Sequence, residues 1–176
     1  MKTPIQMLSG AAAILTVAAG VAVAQQLTVE INKVSDAGWR KIGTSDHRGG
    51  RQRGGASKSP SVHPAGKHGF HLHEKADCAA AMKDGKLEPG GAAGAHYDPE
   101  GKKSHKGPQG AGHKGDLPVL TSDGTAVNET ITAPKLKLSD VLGRALVIHD
   151  AGDNYSDNPE NGGGKGRIAC GIVPGN

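Results

Sequence analysis

The segment HGFHLH at residues 68–73 decides the fold of this chain and introduces its chemistry. The run predicts a short β-strand, and it contains the pair His71-x-His73. Residues i and i+2 of a strand point to the same face of the sheet, so two imidazoles at this spacing can converge on one metal ion. A pair of solvent-facing histidines on an edge strand is the alternative interpretation.

Further strands are predicted on both sides of this segment. Residues 25–34 alternate between apolar and polar, as a half-buried strand does, whereas 145–148 is a continuous apolar run typical of a strand buried on both faces. Segments 124–132 and 167–173 complete the set. The 176 residues include 28 glycines and 10 prolines and show no long amphipathic helix. The fold class is therefore predicted to be all-β, in one turn-rich domain.

Two long Gly- and Pro-rich stretches, 84–118 and 150–166, separate the strands. Loops of this length in a compact domain need a reason, and organisation by a metal is one. The first loop contains His96, His105 and His113-x-x-Asp116. Three nitrogens and one carboxylate oxygen suit a tetrahedral structural zinc site, although scattered loop histidines are the alternative.

A copper site is also suggested by the types of ligand present. Imidazole-rich sites without thiolate suit copper or zinc, and four histidines in a flattened arrangement favour Cu(II). His149 follows the apolar run 145–148, which would hold it rigidly at the end of a buried strand. A lone histidine in such a place is more often a core or hydrogen-bonded residue than a ligand. The ligand types do not say which histidine binds which ion.

The N-terminus predicts export. An apolar run at residues 10–24 ends in Ala22-Val23-Ala24, so residues 1–24 are expected to be a signal peptide and 25–176 the mature domain. A membrane anchor is the alternative, but the run is shorter than the roughly 20 residues of a spanning helix. In an exported chain the pair Cys78 and Cys170 predicts a disulfide, with metal ligation by the thiols as the weaker interpretation.

The net charge of +4 does not indicate a nucleic-acid partner. Six basic residues and one acidic residue lie between Arg40 and Pro64, so the rest of the mature chain is net negative. This basic stretch contains no aromatic residue on which bases could stack. Nucleic-acid binding is therefore excluded from the expected functions.

Several short motifs resemble the Cu,Zn superoxide dismutases, in the order and spacing of that family. They are GFHLHE at 69–74, GAHYDP at 94–99, HKGP at 105–108, GHKGDLP at 112–118, LVIH at 146–149 and GRIACG at 166–171. The KDGK insert at 83–86, the GDN at 152–154 and the loop lengths resemble the bacterial, exported (periplasmic) branch. The resemblance implies an eight-stranded Greek-key β-barrel or sandwich with two long loops organised by metal and a disulfide.

The resemblance also implies a site and an activity: disproportionation of superoxide to dioxygen and hydrogen peroxide by Cu(II)/Cu(I) cycling beside a structural zinc ion, one of each ion per subunit. Asp153 would link a copper histidine to a zinc histidine, Arg167 would bind the superoxide anion, and His96 would bridge the ions and donate a proton. Copper would be bound by His71, His73, His96 and His149, and zinc by His96, His105, His113 and Asp116. Cys78 and Cys170 would form the family's disulfide, and the protein would be a monomer or a homodimer.

Other charged and histidine residues have less specific interpretations. His47, His63 and His68 match no ligand position and are expected to be surface or structural residues rather than metal-capturing ones. Lys83 and Lys86 are candidates for steering the anionic substrate and could equally be ordinary solvated lysines.

Segment 40–64 departs from the family pattern. It has three apolar residues in 25 and no alternation, where the family's next strands should lie. A local frame slip in the gene or its reading is one explanation, and a genuine disordered insertion is the other. Two further functions therefore remain open: an exported copper- or zinc-binding protein without turnover, and an inactive member of the family.

Overall fold

A computed structural model describes residues 4–8, 12–17, 25–35, 64–124, 127 and 129–175. Within them the chain is almost entirely strand and loop, which confirms the all-β prediction. The strands are β1 Pro4–Leu8, β2 Ala12–Val17, β3 Gln25–Glu30, β4 Asn32–Lys33, β5 Ala65–His68, β6 Phe70–His73, β7 Ala81–Lys83, β8 Lys86–Glu88, β9 Leu120–Asp123, β10 Thr130–Thr132, β11 Ala145–His149 and β12 Arg167–Ile172. A single turn of helix, α1 (Leu138–Val141), precedes β11.

The described strands form separate antiparallel sheets that do not close into a barrel. Two four-stranded sheets have the orders β10-β1-β2-β3 and β4-β12-β11-β6, and two two-stranded sheets pair β5 with β9 and β7 with β8. The predicted strand at 124–132 is wrong in its bounds. Gly124, at φ +88°, lies in a turn between β9 and β10. Residues 40–63 of the atypical segment lie outside the described part of the chain.

Two strands fall in the segment that the sequence predicts to be removed. β1 and β2 lie within residues 1–24, and they pair with each other, with β10 and with β3. Residues 12–17 read AAILTV, and Ile, Thr and Val favour strands, which gives this apolar segment a local reason to pair. Removal of residues 1–24 would leave β3 and β10 without these partners.

The sheet β4-β12-β11-β6 positions the histidines. In the pair β11–β6, Val147 lies opposite His71 and Ala145 opposite His73. Alternation along the strands therefore places the two histidines on one face and Phe70 and Leu72 on the other. The face with the phenylalanine packs into the main core, whose buried members are Val29, Ile31, Phe70, Leu72, Leu117, Leu120, Val127, Ile131, Ala133, Leu136, Val141, Leu146, Ile148, Ala169 and Val173.

Strand β11 is buried on both faces, as its continuous apolar sequence predicts. Leu146 and Ile148 pack into the main core, whereas Ala145 and Val147 pack with a second cluster that includes Cys78 and Cys170. Neither face of the strand contacts solvent, which is why 145–148 shows no alternation.

The long segment between β8 and β9 covers the outer edge of β6, where another strand could pair. The amide of Leu72 donates to the carbonyl of Gly115 at 2.9 Å, and the carbonyl of Leu72 accepts from the amide of Tyr97 at 2.8 Å. A Cβ at Gly115 would collide with the Leu72 carbonyl oxygen, so this close approach requires glycine. The strand edge thereby fixes the position of two loop segments beside His71 and His73.

The predicted disulfide is confirmed. Cys78 and Cys170 are bonded with a Cα–Cα distance of 5.8 Å, and they join the loop after β6 to the middle of β12 across 92 positions of sequence. Both cysteines are buried. The bond thus anchors a loop with little secondary structure to the sheet.

Replacing both cysteines with serine is expected to lower the free energy of unfolding by about 2–5 kcal/mol, because the unfolded chain regains the entropy of a long loop. Urea unfolding of the oxidised protein, the reduced protein and the double variant measures this effect. The reduced wild-type protein is the matched control and should resemble the variant. Equal stability of all three forms would contradict the stabilising role.

Candidate metal centre

Six histidines and two aspartates from separate parts of the chain meet beside β6 and the end of β11. They are His71, His73, His96, His105, His113, Asp116, His149 and Asp153. All six imidazoles are buried, with side chains from β6, from β11 and from the long segment between β8 and β9. Within each of two groups of four, the candidate ligand atoms lie within 4.8 Å of one another. We call them the four-histidine group and the three-histidine–aspartate group, and they share His96.

The four-histidine group consists of His71, His73, His96 and His149. In three of its rings, one nitrogen is fixed by an oxygen acceptor: His71 Nε2 lies 2.8 Å from Asp153 Oδ2, His73 Nδ1 lies 2.9 Å from the Gly94 carbonyl, and His149 Nδ1 lies 3.2 Å from the Lys165 carbonyl. An acceptor at one nitrogen places the ring proton there and leaves the other nitrogen with a free lone pair.

The remaining nitrogens of those rings are buried without hydrogen bonds. They are His71 Nδ1, His73 Nε2 and His149 Nε2. A buried polar atom without a partner is costly, so three such atoms in one place call for an explanation. Lone pairs that converge on a common point are what a metal ion requires.

The electrostatic environment keeps these rings neutral. Burial, aided by the neighbouring His96, lowers the pKa of both His71 and His73 well below the usual 6.5. The same causes lower the pKa of His149 to about 3. Near neutral pH the four-histidine group therefore presents unprotonated nitrogens, which is the form that binds metal.

The three-histidine–aspartate group consists of His96, His105, His113 and Asp116. Its unpartnered buried atoms are the Nδ1 atoms of the three rings and Asp116 Oδ1. That oxygen lies 2.9 Å from His105 Nδ1, 3.3 Å from His113 Nδ1 and 3.4 Å from His96 Nδ1, without hydrogen-bond geometry. Three nitrogens and one oxygen are the donor set of a closed, tetrahedral zinc site.

The second oxygen of Asp116 is held by the backbone. Oδ2 accepts from the amides of Lys106 and Gly107, at 3.1 and 3.2 Å. The carboxylate is thereby oriented with Oδ1 toward the three imidazoles. Although burial acts in the opposite direction, the histidines around it hold the pKa of Asp116 well below its usual range.

His105 differs from the other rings because it has a carboxylate at each nitrogen. Burial disfavours its charged form, but Asp116 and Asp153 outweigh that effect and raise the pKa of His105 to about 9. Its Nε2 lies 2.8 and 2.9 Å from the two oxygens of Asp153. In the metal-free protein His105 is therefore a protonated imidazolium at neutral pH.

Asp153 connects the two groups. Its carboxylate accepts from His71 Nε2 in one group and His105 Nε2 in the other, and the amide of Tyr155 donates to Oδ1 at 2.7 Å. His96 connects them directly, since its ring lies 3.9 Å from the ring of His71 and 5.4 Å from that of His113, centroid to centroid. Its Nδ1 faces Asp116, which leaves Nε2 for the four-histidine group.

Arg167 lies in the wall of a cleft beside these rings. The cleft has a volume of about 820 Å³, and His73, His96 and His149 also line it. Nη1 and Nη2 donate to the carbonyls of Gly90 and Gly94 at 2.6 and 2.7 Å, which fixes the guanidinium of this buried residue. The Gly94 carbonyl thus accepts from both Arg167 and His73.

The remaining predicted residues belong to neither ligand group or lie outside the described residues. Lys83 and Lys86 are exposed on the β7–β8 hairpin, and Lys83 also lines the cleft beside Arg167. His68 is buried, and its ring nitrogens contact the carbonyls of His149 and Pro64, in keeping with the structural role predicted for it. His47 and His63 lie outside the described residues.

Sequence reasoning missed two charged residues near the site. Glu88 Oε1 lies 3.6 Å from Arg167 Nε. Lys135 contacts the loop that contains His105 and His113. No local motif marks either residue, because each contact joins positions that are distant in sequence.

Comparisons with known proteins agree with this geometry. The family model for copper/zinc superoxide dismutase (SODC) matches residues 51–173. The chain is 52% identical over 111 residues to the Cu-Zn superoxide dismutase of Brucella abortus, which is 61% of this chain and 64% of that one. The relative from Legionella pneumophila is 54% identical over 112 residues, 62% of this chain and 64% of that one. The chain thus spans a little under two thirds of the length of these two relatives.

Longer alignments exist with other relatives. The Cu-Zn superoxide dismutase of Photobacterium leiognathi is 41% identical over 158 residues, 86% of this chain and 88% of that one. Among solved structures, Cu/Zn superoxide dismutase from Brucella abortus aligns with a TM-score of 0.66 at 33% identity, over 98% of this chain and 99% of that one. The monomeric enzyme from Salmonella enterica aligns at 0.58 and 30%, over 98% of both chains.

Zinc binding at neutral pH is expected to release about one proton from His105, because a metal at Nδ1 displaces the proton that the two carboxylates favour. Since the pKa of His105 is about 9, this release should persist at pH 7 and disappear as the pH rises above 9. Titration calorimetry of metal-free protein, in buffers with different ionisation enthalpies, counts the protons. A release that is the same at pH 7 and pH 10 would contradict the assignment.

Proposed function

The chain belongs to the copper/zinc superoxide dismutase family, and from this premise we propose that it disproportionates superoxide to dioxygen and hydrogen peroxide. The observation that supports the proposal most directly is the set of buried ligand atoms without hydrogen bonds, arranged in two groups around one shared imidazole. Family membership alone would not require this chain to retain them. The donor types, the neutral state of three of the rings and the burial of all of them fit bound metal.

We propose that copper binds the four-histidine group and zinc the three-histidine–aspartate group. His71 Nδ1, His73 Nε2 and His149 Nε2 would bind copper together with His96 Nε2. Zinc would be bound by the Nδ1 atoms of His96, His105 and His113 and by Asp116 Oδ1. When bound, copper supplies one-electron redox chemistry between Cu(II) and Cu(I), and zinc supplies a fixed positive charge.

Arg167 would bind the anionic substrate. A guanidinium keeps its charge at all relevant pH values and offers directed donors, and this one is fixed by two carbonyls in the wall of the cleft. It lies beside His73, His96 and His149, so superoxide bound to it would be next to the four-histidine group. Holding the anion in that place would orient it toward the copper site before electron transfer, which lowers the entropic part of the activation barrier.

His96 would supply one of the two protons that the reaction consumes. Two superoxide anions and two protons give one dioxygen and one hydrogen peroxide. With its Nδ1 directed toward Asp116, the ring could hold a proton at Nε2 in the half of the cycle in which this nitrogen is not bound to copper, and donate it to the reduced product in the other. Water would supply the second proton. Asp153 would hold His71 and His105 in fixed orientations throughout, as hydrogen-bond partners of metal ligands generally do.

A metal-binding protein without turnover is the second candidate, and an inactive family member is the third. Storage of copper or zinc needs neither an arginine in the wall of a cleft beside the ligands nor a shared imidazole, and the structure contains both features. The inactive alternative depends on segment 40–64. A DNA read over codons 35–70 that returned this same protein in one frame would remove the frame-slip explanation and leave a genuine insertion.

We propose further that the protein is exported to the periplasm and acts there as a monomer or a homodimer. The run at 10–24 with its small residues at 22 and 24 supports a signal peptide. The confirmed disulfide also fits an oxidising compartment. The structure of a Salmonella enterica relative is described as monomeric, which supports the monomer as one of the two states. Among the described residues, none of the helices is long and apolar enough to cross a bilayer.

Arg167→Ala is expected to lower the rate of superoxide removal about 10- to 100-fold, since hydrogen bonds to a charged group contribute roughly 1.5–3 kcal/mol. Both metals should remain bound, because Arg167 belongs to neither ligand group. Stopped-flow decay of superoxide measures the rate, and elemental analysis measures metal content. Arg167→Lys keeps the charge without the paired donors and should fall between wild type and alanine. An unchanged rate in the alanine variant would show that Arg167 does not bind the substrate. A metal-loaded wild type without activity would refute the proposed enzymatic function.

Processing of the N-terminus can be tested in a Gram-negative host. Mature protein from the periplasm is expected to begin at Gln25, because signal peptidase cleaves after the small-x-small sequence that ends at Ala24. N-terminal sequencing of fractionated material determines this position. Ala24→Leu, which alters only the cleavage sequence, should accumulate as precursor. Periplasmic protein that retained residues 1–24 would contradict the prediction.

A further inference from the structure

We propose that Lys135 is a positioning residue that shapes the loop 104–116 before metal binds, and thereby sets the zinc affinity of the site. The inference rests on the proposed function, since it assumes that the three-histidine–aspartate group binds zinc. Lys135 makes no described hydrogen bond or ion pair with the side chain of any member of either group. Its action would be indirect, through the backbone that presents His105 and His113.

Three carbonyls of the loop converge on the ammonium of Lys135. Nζ donates to the carbonyl oxygens of Gly107, Gly110 and His113, at 2.9, 3.3 and 2.6 Å. A lysine ammonium has three N–H donors, so all of its donors are used by this one loop. The shortest of the three contacts is to the carbonyl of His113, a residue whose imidazole is a candidate zinc ligand.

The loop has little structure of its own. It forms no strand or helix. Its internal backbone bonds are turns, such as the bond from the Gly110 amide to the Gly107 carbonyl at 3.3 Å, and one longer bond from the His113 amide to the Ser104 carbonyl at 2.8 Å. Ordering such a backbone costs conformational entropy. If metal binding alone had to order it, that cost would be subtracted from the binding free energy. Contacts that order the loop in advance therefore increase metal affinity.

The segment that presents Lys135 is fixed to the core. Ala133, Leu136 and Val141 are buried in the main hydrophobic cluster. The amide of Leu136 donates to the carbonyl of Ala133 at 3.2 Å, which closes a turn around Lys135. The ammonium is thus held by a rigid backbone. A lysine on a backbone that is fixed in this way can hold the loop in one position through its hydrogen bonds.

A second contact joins the same two segments. Lys114, which lies between His113 and Asp116, has its Nζ 2.9 Å from Asp140 Oδ2. The same carboxylate oxygen also accepts from the amide of Lys137 at 2.7 Å. The segment 133–141 therefore contacts the loop at its carbonyls and at a side chain adjacent to the candidate ligands.

The charge of Lys135 argues for positioning rather than direct stabilisation of the metal. An ammonium has the same sign of charge as a zinc ion, so its electrostatic effect on zinc opposes binding. Any gain in zinc affinity must come from the shape that it gives to the loop. The sign of the effect separates the two roles. Methionine has a similar volume and removes the charge and the donors together, so zinc binding should strengthen if only the charge mattered and weaken if the donors order the loop.

The test uses the full processed chain in its metal-free form. Lys135→Met is expected to weaken zinc binding about 10- to 100-fold, the usual effect of removing a group that orients metal ligands. Copper affinity should change little. Competition with a chelator measures both affinities. Hydrogen exchange should show faster exchange of the amides at 104–116 in the metal-free variant, and Lys135→Arg should recover much of the affinity and protection. Lys137→Met, in the same segment with an exposed side chain, is the matched control.

Each outcome decides between the proposals. Unchanged zinc affinity and unchanged exchange in Lys135→Met would overturn the role of Lys135. An equal loss of zinc and copper affinity, with a lower Tm of the metal-free protein, would show a general structural role and would also overturn it. A wild type that bound no zinc would refute the proposed function instead. In that case hydrogen exchange of the metal-free variants would still show whether Lys135 orders the loop.

Discussion

The centre depends on the orientation of three imidazoles in the four-histidine group, those of His71, His73 and His149. In each ring an oxygen acceptor holds the proton at one nitrogen. The other nitrogen then faces inward with a free lone pair. The acceptors are the carboxylate of Asp153 and the carbonyls of Gly94 and Lys165. All three lie in the long loops rather than in the sheet. The strands supply the rings, and the loops determine which atom of each ring can bind a metal.

The loops can do this because the sheet and a covalent bond fix them. The edge of β6 pairs with backbone around Tyr97 and Gly115, and the disulfide joins the loop after β6 to β12. Arg167 adds bonds from the start of β12 to Gly90 and Gly94. Glycine-rich segments with few apolar residues are thereby held without a core of their own, which explains how 28 glycines are compatible with a rigid site.

Sequence alone predicted the elements whose signal is local. The apolar run at 145–148 became a strand buried on both faces, and the spacing of His71 and His73 placed them on one face of β6. The resemblance to a family supplied the grouping of the histidines, which periodicity could not. The contacts of Lys135 and Glu88 had no local signal, because packing between distant segments produces them. The strands β1 and β2 were not expected, since an apolar, β-branched run suits a signal peptide and a strand alike.

One backbone oxygen, the carbonyl oxygen of Gly94, accepts two hydrogen bonds that cannot be changed independently of each other. The Gly94 carbonyl accepts from the ring of His73 and from the guanidinium of Arg167. Gly94 itself adopts φ +80°, and a Cβ there would meet Glu74, so this position admits glycine alone without strain. Under the proposed function, a single peptide unit would therefore set the spacing between a copper ligand and the group that binds the anion. A change of this peptide that altered substrate affinity would then alter the position of the copper ligand as well.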